Sequence, residues 1–141
     1  MLKKRFIWFV MIMLGMGLFI TSCGSSSDNK KLAPNSVQGK TYQMLVTSGT
    51  PPLANTGTAA IVFAADGNYI VTGDANIAND QGTYTYNRVT NDSGEVILTS
   101  TQIPGLQINY AFVFTQEGTG NFTGTLASDP AVTQQGTFTE L

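Results

Sequence analysis

One thiol, five phenols and nine carboxylates are the groups with which this chain could do chemistry, and it has no histidine. Cys23 is the single cysteine, so no disulfide can form within the chain. A thiol or hydroxyl nucleophile needs a neighbouring base. Without imidazole there is no Cys-His or Ser-His-Asp arrangement and no imidazole metal site. Paired carboxylates can run acid–base chemistry unaided. Asp66, Asp92 and Glu117, however, stand in turn-like stretches, where acidic residues ordinarily serve the turn itself. The run DANIAND offers oxygens from Asp74, Asn76, Asn79 and Asp80, the ligand type calcium takes. It lacks the glycine and terminal glutamate of an EF-hand loop, so it reads as a solvated loop and no metal site is assigned. The glycines mark hairpins rather than a phosphate loop. The expectation is a protein that is not an enzyme and holds no cofactor.

The surroundings of Cys23 give the thiol another use. MLKKR is a short basic opening, and Phe6 to Ile20 is a fifteen-residue apolar run. That run is short for a membrane-spanning helix, which needs about 20 apolar residues, and small polar residues follow it. This is the layout of a secretory signal. Ile20-Thr21-Ser22-Cys23 resembles the lipobox of bacterial lipoproteins, an aliphatic residue and two small residues before an acceptor cysteine. The resemblance implies a diacylglyceryl thioether on Cys23, cleavage before it, and acylation of the new amine. Two or more acyl chains hold a protein stably where one does not. Gly24, not aspartate, follows the cysteine. In the enterobacterial sorting scheme that points to the outer membrane. The protein is thus expected in a bacterial cell envelope, anchored to the membrane through Cys23.

Residues 1–22 read as the signal peptide, 23–38 as a flexible tether and 39–141 as one domain. The run GSSSDNKKLAPNSVQG, Gly24 to Gly39, has almost no apolar content and as a coil would span roughly 20 Å. After Cys23 there are four basic and nine acidic residues, a balance that repels phosphate backbones and argues against nucleic acid as a partner.

From Lys40 onward apolar residues recur at every second position. LQINYAFVFT puts Leu106, Ile108, Tyr110, Phe112 and Phe114 on one face, and GTYTYNR puts Tyr84, Tyr86 and Arg88 together. TYQMLVT, TAAIVFA, NYIVT, GEVILTST, NFTGTLA and GTFTEL supply six further strands, eight in all. A three-residue loop at Ala65-Asp66-Gly67 would set Phe63 opposite Tyr69 and Ile61 opposite Val71, gathering large residues on one face. VFAADGNY is echoed by VFTQEGTGNF, and QGTYT at Gln81 by QGTFT at Gln135. Either duplication or convergent turn chemistry accounts for that echo.

Two four-stranded meanders, each with one apolar face, close most simply into an eight-stranded antiparallel up-and-down barrel. That all-β arrangement resembles the lipocalin-like barrels of the calycins, in which a long first connection, here SGTPPLANTG, overlies the open mouth. Gly39-Lys40-Thr41-Tyr42 stands where lipocalins carry Gly-x-Trp, and no helical stripe follows the last strand. The alternative is a β-sandwich. A barrel of this size is either just filled by its side chains or holds one small ligand. Tyr69, Tyr84, Tyr86, Tyr110 and Phe112 would line such a site, with Arg88 at its rim or turned outward toward Asp92 or Glu95. Two function classes follow. One is a tethered module binding a small apolar ligand or envelope component. The other is a structural or protein-interaction lipoprotein with a solid core.

Overall fold

The computed structural model describes residues 30–141. The leader, Cys23 and the motif around it lie outside the described residues. Eight strands follow in order: β1 (Thr41–Gly49), β2 (Gly57–Phe63), β3 (Asn68–Gly73), β4 (Asp80–Arg88), β5 (Ser93–Ser100), β6 (Gln107–Gln116), β7 (Thr119–Leu126) and β8 (Asp129–Glu140). Each pairs antiparallel with the next, and β8 pairs with β1, so the sheet closes into a barrel without free edges. The barrel expectation holds, and a sandwich is excluded.

Alternation decides which side chains turn inward. In β1, Tyr42, Met44 and Val46 are buried while Gln43 and Leu45 face out. The β2–β3 hairpin has the expected register, Phe63 opposite Tyr69 and Ile61 opposite Val71. Ala64 N–H donates to the Asn68 carbonyl at 2.8 Å, and Gly67 takes φ +84°, which a side chain would strain. The internal echo has a structural counterpart. Tyr69 stands opposite Gly82, and Phe122 stands opposite Gly136. A Cβ at Gly82 would lie 2.0 Å from the Thr99 carbonyl oxygen, and one at Gly136 1.9 Å from that of Leu45. Both halves therefore bend onto their neighbour at the same point.

One boundary differs from the sequence reading. β8 begins at Asp129, seven residues before the glycine that opens GTFTEL. Pro130 and two adjacent glutamines hide that start, and a bulge between Thr125 and Leu126 shifts the register there. Val132 and Gln134 nevertheless face inward.

The interior is filled with rings. Tyr42, Phe63, Phe112 and Phe138 are each at most 2% exposed. Phe138 lies 4.8 Å from Phe112, 4.9 Å from Phe114 and 5.6 Å from Tyr42, centroid to centroid. Most of these contacts are edge-to-face or tilted, the geometry aromatic quadrupoles favour.

The chain enters at one end of the barrel, here termed proximal. That end also carries the β2–β3, β4–β5 and β6–β7 turns and the close of β8. The distal end carries the other four connections. The supposed tether does not stay free as it reaches the proximal end. Ala33 and Val37 are buried in the core cluster, with Leu32 packed against it. Leu32 and Ala33 N–H groups both donate to the Asn91 carbonyl at 2.8 Å, and Gly39 N–H donates to that of Phe63 at 2.7 Å. Residues 32–39 thus plug the proximal mouth. The few apolar side chains of a polar stretch find the one place where the barrel core is open. At the distal mouth lies the long first connection, as expected, with Ala54 carbonyl accepting from Gln134 Nε2 at 3.1 Å.

Candidate functional site

The six residues proposed from sequence to line a ligand site all turn toward the barrel axis, but they do not form one site. Tyr84, Tyr86 and Arg88 alternate up β4 to the proximal mouth and are consumed by closing it. Tyr84 hydroxyl donates to the Ala64 carbonyl at 3.0 Å, and Tyr86 hydroxyl donates to that of Pro34 at 2.8 Å. Arg88 Nη1 donates to Asn35 Oδ1 at 2.6 Å. The expected partners Asp92 and Glu95 are therefore replaced by an asparagine of the plug. Asp92 instead accepts from Thr90 within its own turn. Phe112 sits mid-barrel, stacked on Tyr110 at 6.1 Å.

Tyr69 and Tyr110 belong to a polar cluster toward the distal end. Asp80 opens β4 and accepts from Tyr69 hydroxyl through Oδ2 at 2.6 Å and from Ser100 hydroxyl through Oδ1 at 2.6 Å. Ser100 Oγ in turn accepts from the Ile103 N–H at 2.9 Å, which ties the β5–β6 connection to the cluster. Beside it, Tyr110 hydroxyl bonds to Gln134 Oε1 at 3.1 Å. Every hydroxyl here already has a protein partner, so the cluster seals the mouth and leaves no donor pointing at a guest. Ser100 and Gln134 were not among the sequence candidates, and Asp80 was weighed only as an oxygen of the DANIAND loop. Their inward parity was readable, but Gln134 fell before the expected start of its strand.

The loop Asp74 to Asp80 spends its side-chain oxygens within the protein, on backbone amides at Asp74 and Asn79 and on side-chain hydroxyls at Asp80. Asp74 Oδ2 accepts from Thr58 N–H at 2.7 Å and Oδ1 from Asn76 N–H at 2.8 Å. Asn79 Oδ1 accepts from Gly73 N–H at 2.9 Å. The Thr58 bond is the chief reason the Asp74 carboxyl is held below its ordinary range. Among the described residues no group of three or more carboxylates, cysteines or histidines is placed to hold a metal.

Among the described residues one space of about 280 Å³ lies on the outer wall beside Thr47, Asn121 and Gln135, and another at the proximal rim. A cavity of about 390 Å³ opens between the plug and the β6–β7 turn, walled by Lys31, Leu32, Pro34, Lys40, Glu117 and Glu140. Lys40 precedes β1 and Glu140 ends β8, and they form a half-buried ion pair across the β1–β8 seam. Lys30 and Glu117 pair at 3.7 Å in open solvent, a contact worth little by itself. Beneath the rim, Tyr42 stands opposite Glu140. Its hydroxyl is buried beside that carboxylate without a hydrogen bond of good geometry. Burial first, and then the Glu140 charge, push its ionisation well above the usual tyrosine range. The cavity is lined by more polar than apolar groups, which fits a charged or zwitterionic group better than an apolar ligand.

The tyrosines as a set make a pH prediction. Burial is the first cause that raises the pKa of all five: Tyr42, Tyr69, Tyr84, Tyr86 and Tyr110. A group whose folded pKa lies above its unfolded value contributes stability that is complete below the unfolded pKa, about 10 for tyrosine, and lost as pH rises beyond it. The melting temperature should therefore stay level from neutral pH to about 9.5 and fall above about 10. Tyrosinate absorbance near 295 nm should rise together with the loss of the β circular-dichroism signal. Several tyrosines ionising at their ordinary pH in a barrel that stays folded would contradict the structure.

No protein-family model matches the sequence, and no curated protein matches it. Among solved structures the barrel is similar to one described as "Crystal Structure of a putative beta-lactamase from Burkholderia vietnamiensis". The likeness covers 77% of this chain and 99% of that chain, with a TM-score of 0.51 and 19% sequence identity. At that identity the two share the barrel fold, and the activity in that description is said of the other protein.

Proposed function

We propose that this chain is a bacterial cell-envelope lipoprotein, anchored to the outer membrane through lipid on Cys23. Its barrel serves as a solid, non-enzymatic interaction scaffold. The observation that carries the second half of this reading is the interior. Phe112, Phe138, Phe114 and Tyr42 occupy the axis in mutual contact, and the tyrosine hydroxyls toward both mouths, Tyr42 excepted, are bonded to the protein itself. An apolar guest would have to displace that cluster. The lipid anchor is supported by the sequence alone, in the succession of basic opening, apolar run and Ile20-Thr21-Ser22-Cys23. Partners in this reading meet the outer wall or the barrel ends; nucleic acid is not among them.

Two measurements test it. Globomycin should make the unprocessed precursor accumulate, and labelled palmitate should enter the protein. Neither happening refutes the anchor. A native mass spectrum of the chain expressed from Gly24 onward should show the bare polypeptide mass. A retained small molecule, or uptake of a fluorescent fatty acid, refutes the solid scaffold.

A further inference from the structure

We propose that the proximal end of the barrel lies against the surface of the phospholipid bilayer that holds the anchor. This rests on the lipid-anchor reading of Cys23 and adds to it an orientation and a contact face. Three observations meet at that end.

The first is the length of the leash. Because residues 32–39 are folded into the mouth, the chain between Cys23 and the barrel is the stretch up to Leu32. Nine residue steps, even fully extended, span at most about 32 Å. Strands of nine or ten residues, tilted as in small barrels, make the barrel itself about 25 Å long. The leash starts at the proximal mouth, and part of it is used in crossing the headgroup layer. For the distal end to meet the lipid, the leash would have to run almost fully extended along the whole barrel wall, whereas the proximal end meets it with the leash slack.

The second is charge. All four basic residues among the described ones, Lys30, Lys31, Lys40 and Arg88, stand at the proximal end. They are interspersed with Asp66, Asp92, Glu95, Glu117 and Glu140. Among the described residues the distal end has Asp74, Asp80 and Asp129 and no base. A surface of phosphates and ammonium groups meets partners of both signs at the proximal end and only like charge from its phosphates at the distal one.

The third is exposed apolar surface. Val89 and Leu141 stand at the proximal rim, 53% and 73% exposed, while the distal end has Ile103, 46% exposed. Val62, Ile70 and Val113 lie exposed on the outer wall nearer that end. Apolar side chains among charges of both signs, at the end where the anchor arrives, suit the boundary between acyl chains and zwitterionic headgroups.

The test uses the full chain, processed in cells and reconstituted into vesicles of phosphatidylethanolamine and phosphatidylglycerol. A thioether on Cys23 leaves an introduced cysteine as the only free thiol. Gln116→Cys at the proximal end and Ala127→Cys at the distal end are each labelled with an environment-sensitive maleimide. Quenching by lipids spin-labelled at the headgroup is then read. Thr115→Cys and Ser128→Cys form a second pair should either first variant fail to fold. Quenching is expected to be several-fold stronger at the proximal label. Equal quenching, or stronger quenching at the distal label, in protein whose Cys23 is blocked overturns the orientation and leaves the anchor standing. Maleimide reacting with unfolded wild-type protein shows a free Cys23 and overturns the anchor and the orientation together.

Discussion

Phe112→Ala is expected to destabilise the domain by about 3–5 kcal/mol, the range for removing a large aromatic from a packed core. Phe112 is 1% exposed and touches the rings of Tyr42, Tyr110, Phe114 and Phe138. Removing it takes the common neighbour from rings contributed by β1, β6 and β8. Those strands are far apart in sequence, so little local structure can take up the gap. A domain of this size is stable by roughly 5–15 kcal/mol in total. The variant should therefore unfold at markedly lower urea, with the slope of the transition unchanged. The same measurement separates a packed barrel from a hollow one. In a hollow barrel Phe112 would line a guest's cavity, and its loss would enlarge space already present. A cost below about 1 kcal/mol would count against the solid core.

Val37→Asp should cost about as much by a different route. Val37 has no exposed surface at all. A carboxylate there can be neither solvated nor paired, so the segment would leave the mouth instead of burying the charge. Leaving forfeits the burial of Val37, about 1.5–3 kcal/mol. It also forfeits the hydrogen bonds of Leu32 and Ala33 to Asn91, each about 1 kcal/mol. The expected loss is about 3–5 kcal/mol, together with faster hydrogen exchange at Gly39 and Leu32. In a free tether the same substitution would stay within about 0.5 kcal/mol of wild type. Urea unfolding of this one variant thus decides whether residues 32–39 belong to the domain.

These two positions also mark what could and could not be read from the sequence. Phe112 was legible. It falls on the period-two face of a ten-residue strand, and alternation sorts inside from outside wherever one face is buried. The Phe63–Tyr69 register was legible for the same reason, reinforced by a glycine that suits the left-handed turn position. Val37 was not legible. It is a single apolar residue in a polar run, and what buries it is an opening in a barrel assembled from strands far along the chain. Nothing within a few residues of Val37 marks that contact. The candidate ligand set shows how far alternation reaches. Parity placed Tyr69, Tyr84, Tyr86 and Tyr110 correctly on the inside, but parity does not say what a hydroxyl will bond. Asp80, Pro34, Ala64 and Gln134 hold those hydroxyls from two other strands, the β2–β3 turn and the plug. Lys40 and Glu140 share the inward parity of Tyr42 and Phe138. Charged residues at strand ends are ordinarily read as facing solvent, so the rim cavity between them and the plug stayed hidden.

The way the plug is attached has a mechanical consequence. A pull applied through Lys30 reaches residues 32–39 before any strand, and two of the amides that hold them share one acceptor, the Asn91 carbonyl. β1 comes next, flanked by ladders to both β2 and β8 that a longitudinal force would have to shear at once. The weakest joint in series with the applied load is therefore the plug. Under tension it should release first as a fuse, lengthening the leash by its own eight residues while the barrel stays closed.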